Sequence, residues 1–206
     1  MPAQARKKST RGAFTVPGLE PEDGATVAAM LQERLNALTD LSLTLKHIHW
    51  NVVGPHFIGV HTMLDPQVDA VRLMVDSTAE RIATLGHSPV GTPGALVKAR
   101  SWDDYSLGRA DAIAHLGALD LVYTSIIADH RQAMDKLEDL DLVSQDMLIE
   151  QTEQLEQFQW FVRAHLEDSG GRLSNAGADS EEEAAAKSSR AAPTRSARST
   201  SKRASK

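Results

Sequence analysis

Four long segments in which apolar residues return every three or four positions constrain this chain more than any other feature. That spacing puts them on one side of an α-helix, whose surface repeats every 3.6 residues. The first segment spans about Pro21 to Val52, with Leu31, Leu35, Leu38, Leu45, Ile48 and Val52 on its stripe, and Gly54-Pro55 closes it. The second spans about Gly59 to Leu85, with Leu64, Val68, Val71, Val75, Ile82 and Leu85 inward and Gly86 as its cap. The third, about Leu107 to Leu137, turns Leu116, Leu119, Tyr123, Ile126, Ile127, Met134 and Leu137 to the core. The fourth, about Ser144 to Glu167, buries Leu148, Leu155, Phe158, Val162 and Leu166; Ser144 and Asp146 open it and Gly170-Gly171 stops it. No period-two alternation or hairpin signal competes.

The expected fold is all-α. Segments of this length make helices about 40 Å long. The long connection over residues 87–106 is rich in Pro and Gly, with room for a short helix from Gly94 to Ala99. This pattern describes a four-helix bundle of ferritin-like type with a short helix in the crossover between helices two and three.

Charge sets the boundaries. Residues 12–171 hold 10 basic and 24 acidic residues, a net charge of −14. Residues 1–11 carry Arg6, Lys7, Lys8 and Arg11 without an acid, and residues 184–206 carry Lys187, Arg190, Arg195, Arg198, Lys202, Arg203 and Lys206 without one. The C-terminal stretch is nearly all Ala, Ser, Thr, Pro, Lys and Arg, a composition that buries too little apolar surface to offset chain entropy. The reading is a basic tail over 1–14, a bundle over 15–171 and an unstructured basic tail over 172–206. Cysteine is absent, which excludes disulfides, thiol catalysis and cysteine-ligated metals. No run of 18 apolar residues occurs, so no membrane partner is expected, and the N-terminus lacks the apolar core of a secretory signal. The expected location is the cytoplasm.

The second helix carries the chemistry. His61 with Asp65 and Asp76 with Glu80 are each spaced i, i+4, one turn apart on one face. Asp65, Asp76 and Glu80 lie about 40°, 60° and 100° around the helix from His61. Asp65 and Asp76 are nevertheless about 16 Å apart along the axis, so one chain cannot bring both pairs to one metal. A two-fold axis between residues 70 and 71 can, because antiparallel copies then pair positions whose numbers add to 141, and the two pairs are centred on 63 and 78. His49 on the first helix offers a second imidazole. Two imidazoles and three carboxylates suit Fe(II), Mn(II) or Zn(II). The bland alternative is a solvated helix face on which Arg72 and Arg81 pair with Asp76. No Glu is followed by His three residues later, so a di-iron site inside the bundle is not expected.

The segments Lys46-His47-Ile48-His49-Trp50-Asn51-Val52-Val53-Gly54, Val60-His61-Thr62-Met63-Leu64-Asp65, Asp76-Ser77-Thr78-Ala79-Glu80-Arg81 and Gln159-Trp160-Phe161-Val162-Arg163-Ala164-His165-Leu166 resemble the Dps family of mini-ferritins. The resemblance covers about residues 20–170. It implies a hollow dodecamer with an intersubunit ferroxidase centre: His49, His61 and Asp65 from one subunit, Asp76 and Glu80 from its two-fold mate, and Trp50 beside the site. It implies oxidation of Fe(II), preferably by hydrogen peroxide, to a ferric mineral held in the cavity. Trp50 is then a quencher of stray oxidising equivalents or an anchor of the dimer interface. Family members usually carry Glu after the second site histidine, where this chain has Thr62. Asp135, Glu138, Asp139, Asp141 and Asp146 are candidates for lining an acidic entry pore.

The basic tails read as sequence-independent arms for DNA: Lys187, Arg190, Arg195, Arg198, Lys202, Arg203 and Lys206 at one end, Arg6, Lys7, Lys8 and Arg11 at the other. Twelve copies on one particle add multivalency. No base-reading module is present. The resulting expectation is a nucleoid-associated ferroxidase and iron store. Two alternatives stand beside it: an architectural nucleoid protein with a vestigial metal site, and an interaction bundle that uses no metal.

Overall fold

The computed structural model describes residues 14–191. Its elements run α1 (Pro21–Asn51), β1 (Val52–Val53), α2 (Phe57–Thr84), α3 (Pro93–Ala99), β2 (Ala110–Asp111), α4 (Ala112–Leu137), α5 (Leu142–Ala164) and α6 (Glu181–Ala191). The bundle is α1, α2, α4 and α5, with α3 in the crossover. All the stripe residues named for α1 are buried, as are Leu64, Val68, Val71, Ile82 and Leu85 beside α2. The core falls into two clusters. One packs Leu45, Ile48, Leu64, Leu116, Tyr123 and Leu155; the other packs Leu31, Leu35, Ile82, Leu137 and Leu148. α4 is long and apolar enough to cross a membrane by length and composition alone. Its apolar side chains Leu116, Leu119 and Tyr123 are instead fully buried among its neighbours.

Three local expectations change. The third bundle helix begins at Ala112 rather than near Leu107, because Ala110–Asp111 is extended and pairs in parallel with Val52–Val53. That two-residue ladder, unsignalled by any alternation, ties the end of α1 to the start of α4. Asp111 then caps α4, its side chain accepting from the Ile113 amide at 2.9 Å. The last bundle helix opens at Leu142 with Asp141, not Ser144, as its cap. Ser144 is buried and donates instead to the Asp141 carboxylate. Arg81 on α2 grips that carboxylate at 2.6 Å, so Arg81 does not pair with Asp76 and Asp141 is a structural joint rather than a free pore acid. Burial is the largest single influence on the Asp141 carboxyl and pushes it up, but the hydrogen bonds from Arg81, Ser144 and the Val143 amide and the Arg81 charge together outweigh it and hold the group below its ordinary value.

The largest departure is at the C-terminal side. The expectation of an unstructured chain from 172 onward fails for residues 172–191. Asn175 is 3% exposed and donates to the Gly117 carbonyl at 3.1 Å and to Asp120 at 2.9 Å. Asp120, itself buried, also accepts from Gln159 and Arg163 of α5, so one carboxylate joins α4, α5 and the extension. α6 then lies across α4 through Ala184 and Ser188, both fully buried. Gly117 is what permits this approach: a Cβ there would collide with Ser188 Oγ and the Ala184 carbonyl. Small residues add little apolar area, which is why composition argued for disorder, yet they let two backbones come close enough for polar anchors to act. Glu181, Glu182 and Glu183 fill the first turn of α6, where the helix dipole favours acids. Glu181 also accepts from the amide and hydroxyl of Ser106, pinning the crossover.

Candidate metal centre

α1 and α2 meet at the turn that follows β1, where Gly54 has φ +97° and leaves no room for a Cβ beside the Asp111 carboxylate. The turn brings His49, near the end of α1, against His61, near the start of α2. Their rings stack with centroids 3.6 Å apart and planes 23° apart. Each ring is held by the other residue's backbone. His49 Nδ1 donates to the His61 carbonyl at 3.0 Å, and His61 Nδ1 donates to the His49 carbonyl at 2.9 Å. A carbonyl can only accept, so both hydrogens sit on Nδ1 and both neutral rings keep the Nε2 lone pair for a ligand. Phe57 packs on the His61 ring at 4.9 Å.

Asp65 completes the group, one turn after His61. Together His49, His61 and Asp65 offer ligand atoms within 4.8 Å of one another. His49 is buried, His61 half-buried and Asp65 exposed, so the cluster opens outward from the protomer. Asp65 lies 3.4 Å from His49 Nδ1 and 3.2 Å from Lys46 Nζ. The Lys46 hydrogen bond, with the Lys46 charge, keeps the Asp65 carboxyl below its ordinary value against the opposing effect of desolvation. Lys46 also sits 5.9 Å from the Trp50 ring centroid. Sequence reasoning missed Lys46. Its position one turn before Trp50 was readable, but its partner Asp65 is on another helix.

The remaining expected residues are placed as follows. Asp76 and Glu80 are exposed on α2 and do not join the cluster within the protomer. Thr62 turns back on its own helix, donating to the Ile58 carbonyl at 2.7 Å. Trp50 is 72% exposed, and Leu73, close to the midpoint between the two acid pairs, is 71% exposed. Leu43 and Ile58 are also exposed on these two helices. Of the basic residues, Lys187 is engaged at 2.7 Å with the Gly177 carbonyl and at 2.9 Å with Glu183, while Arg190 is exposed. Arg6, Lys7, Lys8, Arg11, Arg195, Arg198, Lys202, Arg203 and Lys206 lie outside the described residues.

A long four-helix bundle with a mid-crossover helix and an outward-facing His/His/Asp cluster defines a ferritin-like protein, and the family model described as a ferritin-like domain matches residues 28–169. The DNA protection during starvation protein of Mycolicibacterium smegmatis is 60% identical over 177 residues, covering 86% of this chain and 97% of that one. A solved Mycobacterium smegmatis Dps structure superposes with a TM-score of 0.80 at 61% identity, covering 81% of this chain and 95% of the other. A Streptomyces coelicolor Dps superposes with a TM-score of 0.79 at 60% identity, over 80% and 98% of the two chains. The chain belongs to the Dps family.

Proposed function

We propose that this protein is a ferroxidase and iron store that also binds DNA without reading its sequence. The observation that carries the iron chemistry is the reciprocal pinning of His49 and His61, which ties up each Nδ1 and leaves each Nε2 available as a donor, in one cluster with the Asp65 carboxylate. Nitrogen donors retain Fe(II), and carboxylates favour the harder Fe(III) product. The cluster has three protein donors and an open side. Asp76 and Glu80 of the partner subunit supply that side when α2 packs against its copy about a two-fold axis. The exposed Trp50, Leu43, Ile58 and Leu73 support such a contact, because apolar side chains grouped on two adjacent helices are a surface that association covers. Each dimer then holds two identical sites, and six dimers close into a hollow dodecamer.

Fe(II) enters as substrate. Lys46 releases Asp65 as the cation arrives, because one carboxylate cannot serve both at full strength. Peroxide accepts one electron from each of two Fe(II) ions, yielding two Fe(III) and two hydroxides. Ferric hydrolysis then feeds a mineral inside the shell. Iron is the cargo, and Zn(II) or Mn(II) competes for the same donors. The relatives' name, DNA protection during starvation, agrees with the basic segments. Arg195, Arg198, Lys202, Arg203 and Lys206, with Arg6, Lys7, Lys8 and Arg11, supply the phosphate contacts of a cytoplasmic, nucleoid-associated particle.

Anaerobic loading with Fe(II), followed by peroxide, tests this. Ferric absorbance that grows faster than in buffer, near two irons oxidised per peroxide, with iron co-eluting with a large particle, is the expected result. Oxidation no faster than in buffer, with precipitated iron, overturns it.

A further inference from the structure

Tyr105 and His115 form a buried pair that the iron centre does not use. Tyr105 lies in the crossover ahead of β2. Its hydroxyl is 3.1 Å from His115 Nδ1 and 3.4 Å from the His115 carbonyl. The His115 ring is fully buried on α4, with the carbonyls of Asn51 and Gly108 beside it. His115 Nε2 has no hydrogen-bond partner among the described residues, so Nδ1 is the ring nitrogen that meets a polar group, and in the tautomer with hydrogen on Nε2 it accepts from the Tyr105 hydroxyl. Burial pushes the Tyr105 phenol up and the His115 imidazole down, so the resting pair is a neutral phenol and a neutral imidazole.

The chain has two tyrosines, and the other is built differently. Tyr123 is fully buried and donates at 2.7 Å to Gln67 Oε1, an amide oxygen too weakly basic to take its proton. A phenol gives up an electron readily only when its proton leaves for a base at the same time. Tyr105 has that base and Tyr123 does not. Tyr105 is also connected to the iron side. The His47 ring stands edge-on to it at 5.9 Å. On α1, His47 and Trp50 are spaced i, i+3 on one face, and Trp50 adjoins His49.

We propose that Tyr105 is a one-electron donor that clears oxidising equivalents escaping from the iron centre, with His115 as its proton acceptor. This rests on the peroxide-dependent iron oxidation above. A single Fe(II) that reduces peroxide alone yields Fe(III), hydroxide and a hydroxyl radical. The radical takes an electron from the Trp50 indole and becomes hydroxide. The oxidised indole regains an electron from Tyr105. The phenolic O–H bond breaks, its proton moves to His115 Nδ1, and a neutral phenoxyl radical faces an imidazolium. A second Fe(II) returns the electron and His115 returns the proton, which restores both side chains. The sum is again two Fe(II) oxidised per peroxide, with no radical released.

The test uses the full chain, loaded with Fe(II), mixed with peroxide and frozen for electron paramagnetic resonance, with ferric iron measured on the same samples. A tyrosyl signal is expected in the unsubstituted protein and in Tyr123→Phe. It is expected to vanish in Tyr105→Phe, which removes one oxygen, and in His115→Gln, which keeps an acceptor but no base. An undiminished signal in Tyr105→Phe, or no signal in unsubstituted protein that has oxidised its iron, overturns the proposal. Should the iron not be oxidised, the ferroxidase reading fails separately. Iron-free protein exposed to azidyl radicals then decides. Transfer from indolyl to tyrosyl that Tyr105→Phe abolishes supports the assignment, and absent or unaffected transfer overturns it.

Discussion

His49 and His61 hold each other's imidazole by the backbone, each Nδ1 bonded to the other residue's carbonyl across the α1–α2 junction. Neither ring can turn without stranding a buried hydrogen-bonding group, so the Nε2 donors are oriented before any cation arrives. Replacing His61 with Ala removes one donor and frees the His49 ring. Anaerobic calorimetry should show Fe(II) affinity falling at least about tenfold, in the range for loss of orienting contacts around metals. Helix content by circular dichroism should not change, because the core beneath is apolar.

Lys46 acts in the opposite direction. Its ion pair with Asp65 is solvent-exposed on the acid's side, where water screens the attraction and the pair adds little. Lys46→Gln releases Asp65, so Fe(II) should bind up to about fivefold more tightly in the same titration. Weaker binding would show that Lys46 helps to order the cluster.

Stability should carry the imprint of His130. It is fully buried, and burial, aided by the nearby Arg34 charge, lowers its pKa to about 4 from an ordinary value of 6.5. The unfolded chain therefore binds the proton more readily between those values. The neutral ring's contribution is complete above pH 6.5, declines as pH falls and is exhausted near pH 4, for a loss of at most about 3 kcal/mol. Urea midpoints of the unsubstituted protein and His130→Gln should converge over that interval as pH drops. Parallel curves would place the titration elsewhere.

Gly117→Ala separates the bundle from α6. Alanine favours the α4 helix by up to about 1 kcal/mol over glycine. The added methyl would nevertheless meet Ser188 and the Ala184 carbonyl. Hydrogen exchange should accelerate across residues 181–191 while the core amides of α4 and α5 remain protected. Unchanged exchange in α6 would mean that its docking tolerates the shift.

Truncation has two distinct outcomes. Ending the chain after Ala191 removes Arg195, Arg198, Lys202, Arg203 and Lys206 and leaves the packed extension intact. DNA retardation at low salt should weaken, with a shallower dependence on salt, at unchanged thermal stability. Ending it after Gly171 also strips Asn175 from Asp120 and uncovers Gly117, so the melting temperature should fall as well.

Helix identity, bundle class and the His61/Asp65 and Asp76/Glu80 spacing follow from the amino-acid order alone, because a 3.6-residue repeat maps local spacing directly onto faces. The apolar stripes of α1, α2, α4 and α5 needed nothing else. Contacts between residues distant in sequence were decided only in three dimensions. Lys46 meets Asp65 across two helices, Asp141 meets Arg81, and Tyr105 meets His115, each through the way the helices and the crossover pack. The same holds for α6. Its composition is that of a disordered tail, and it is ordered because Gly117 lets its backbone approach α4 while the Asn175 amide donates to the Asp120 carboxylate in the buried seam. Local spacing names a helix's faces, but what each face meets depends on long-range packing, where a missing Cβ or a single buried carboxylate outweighs average composition.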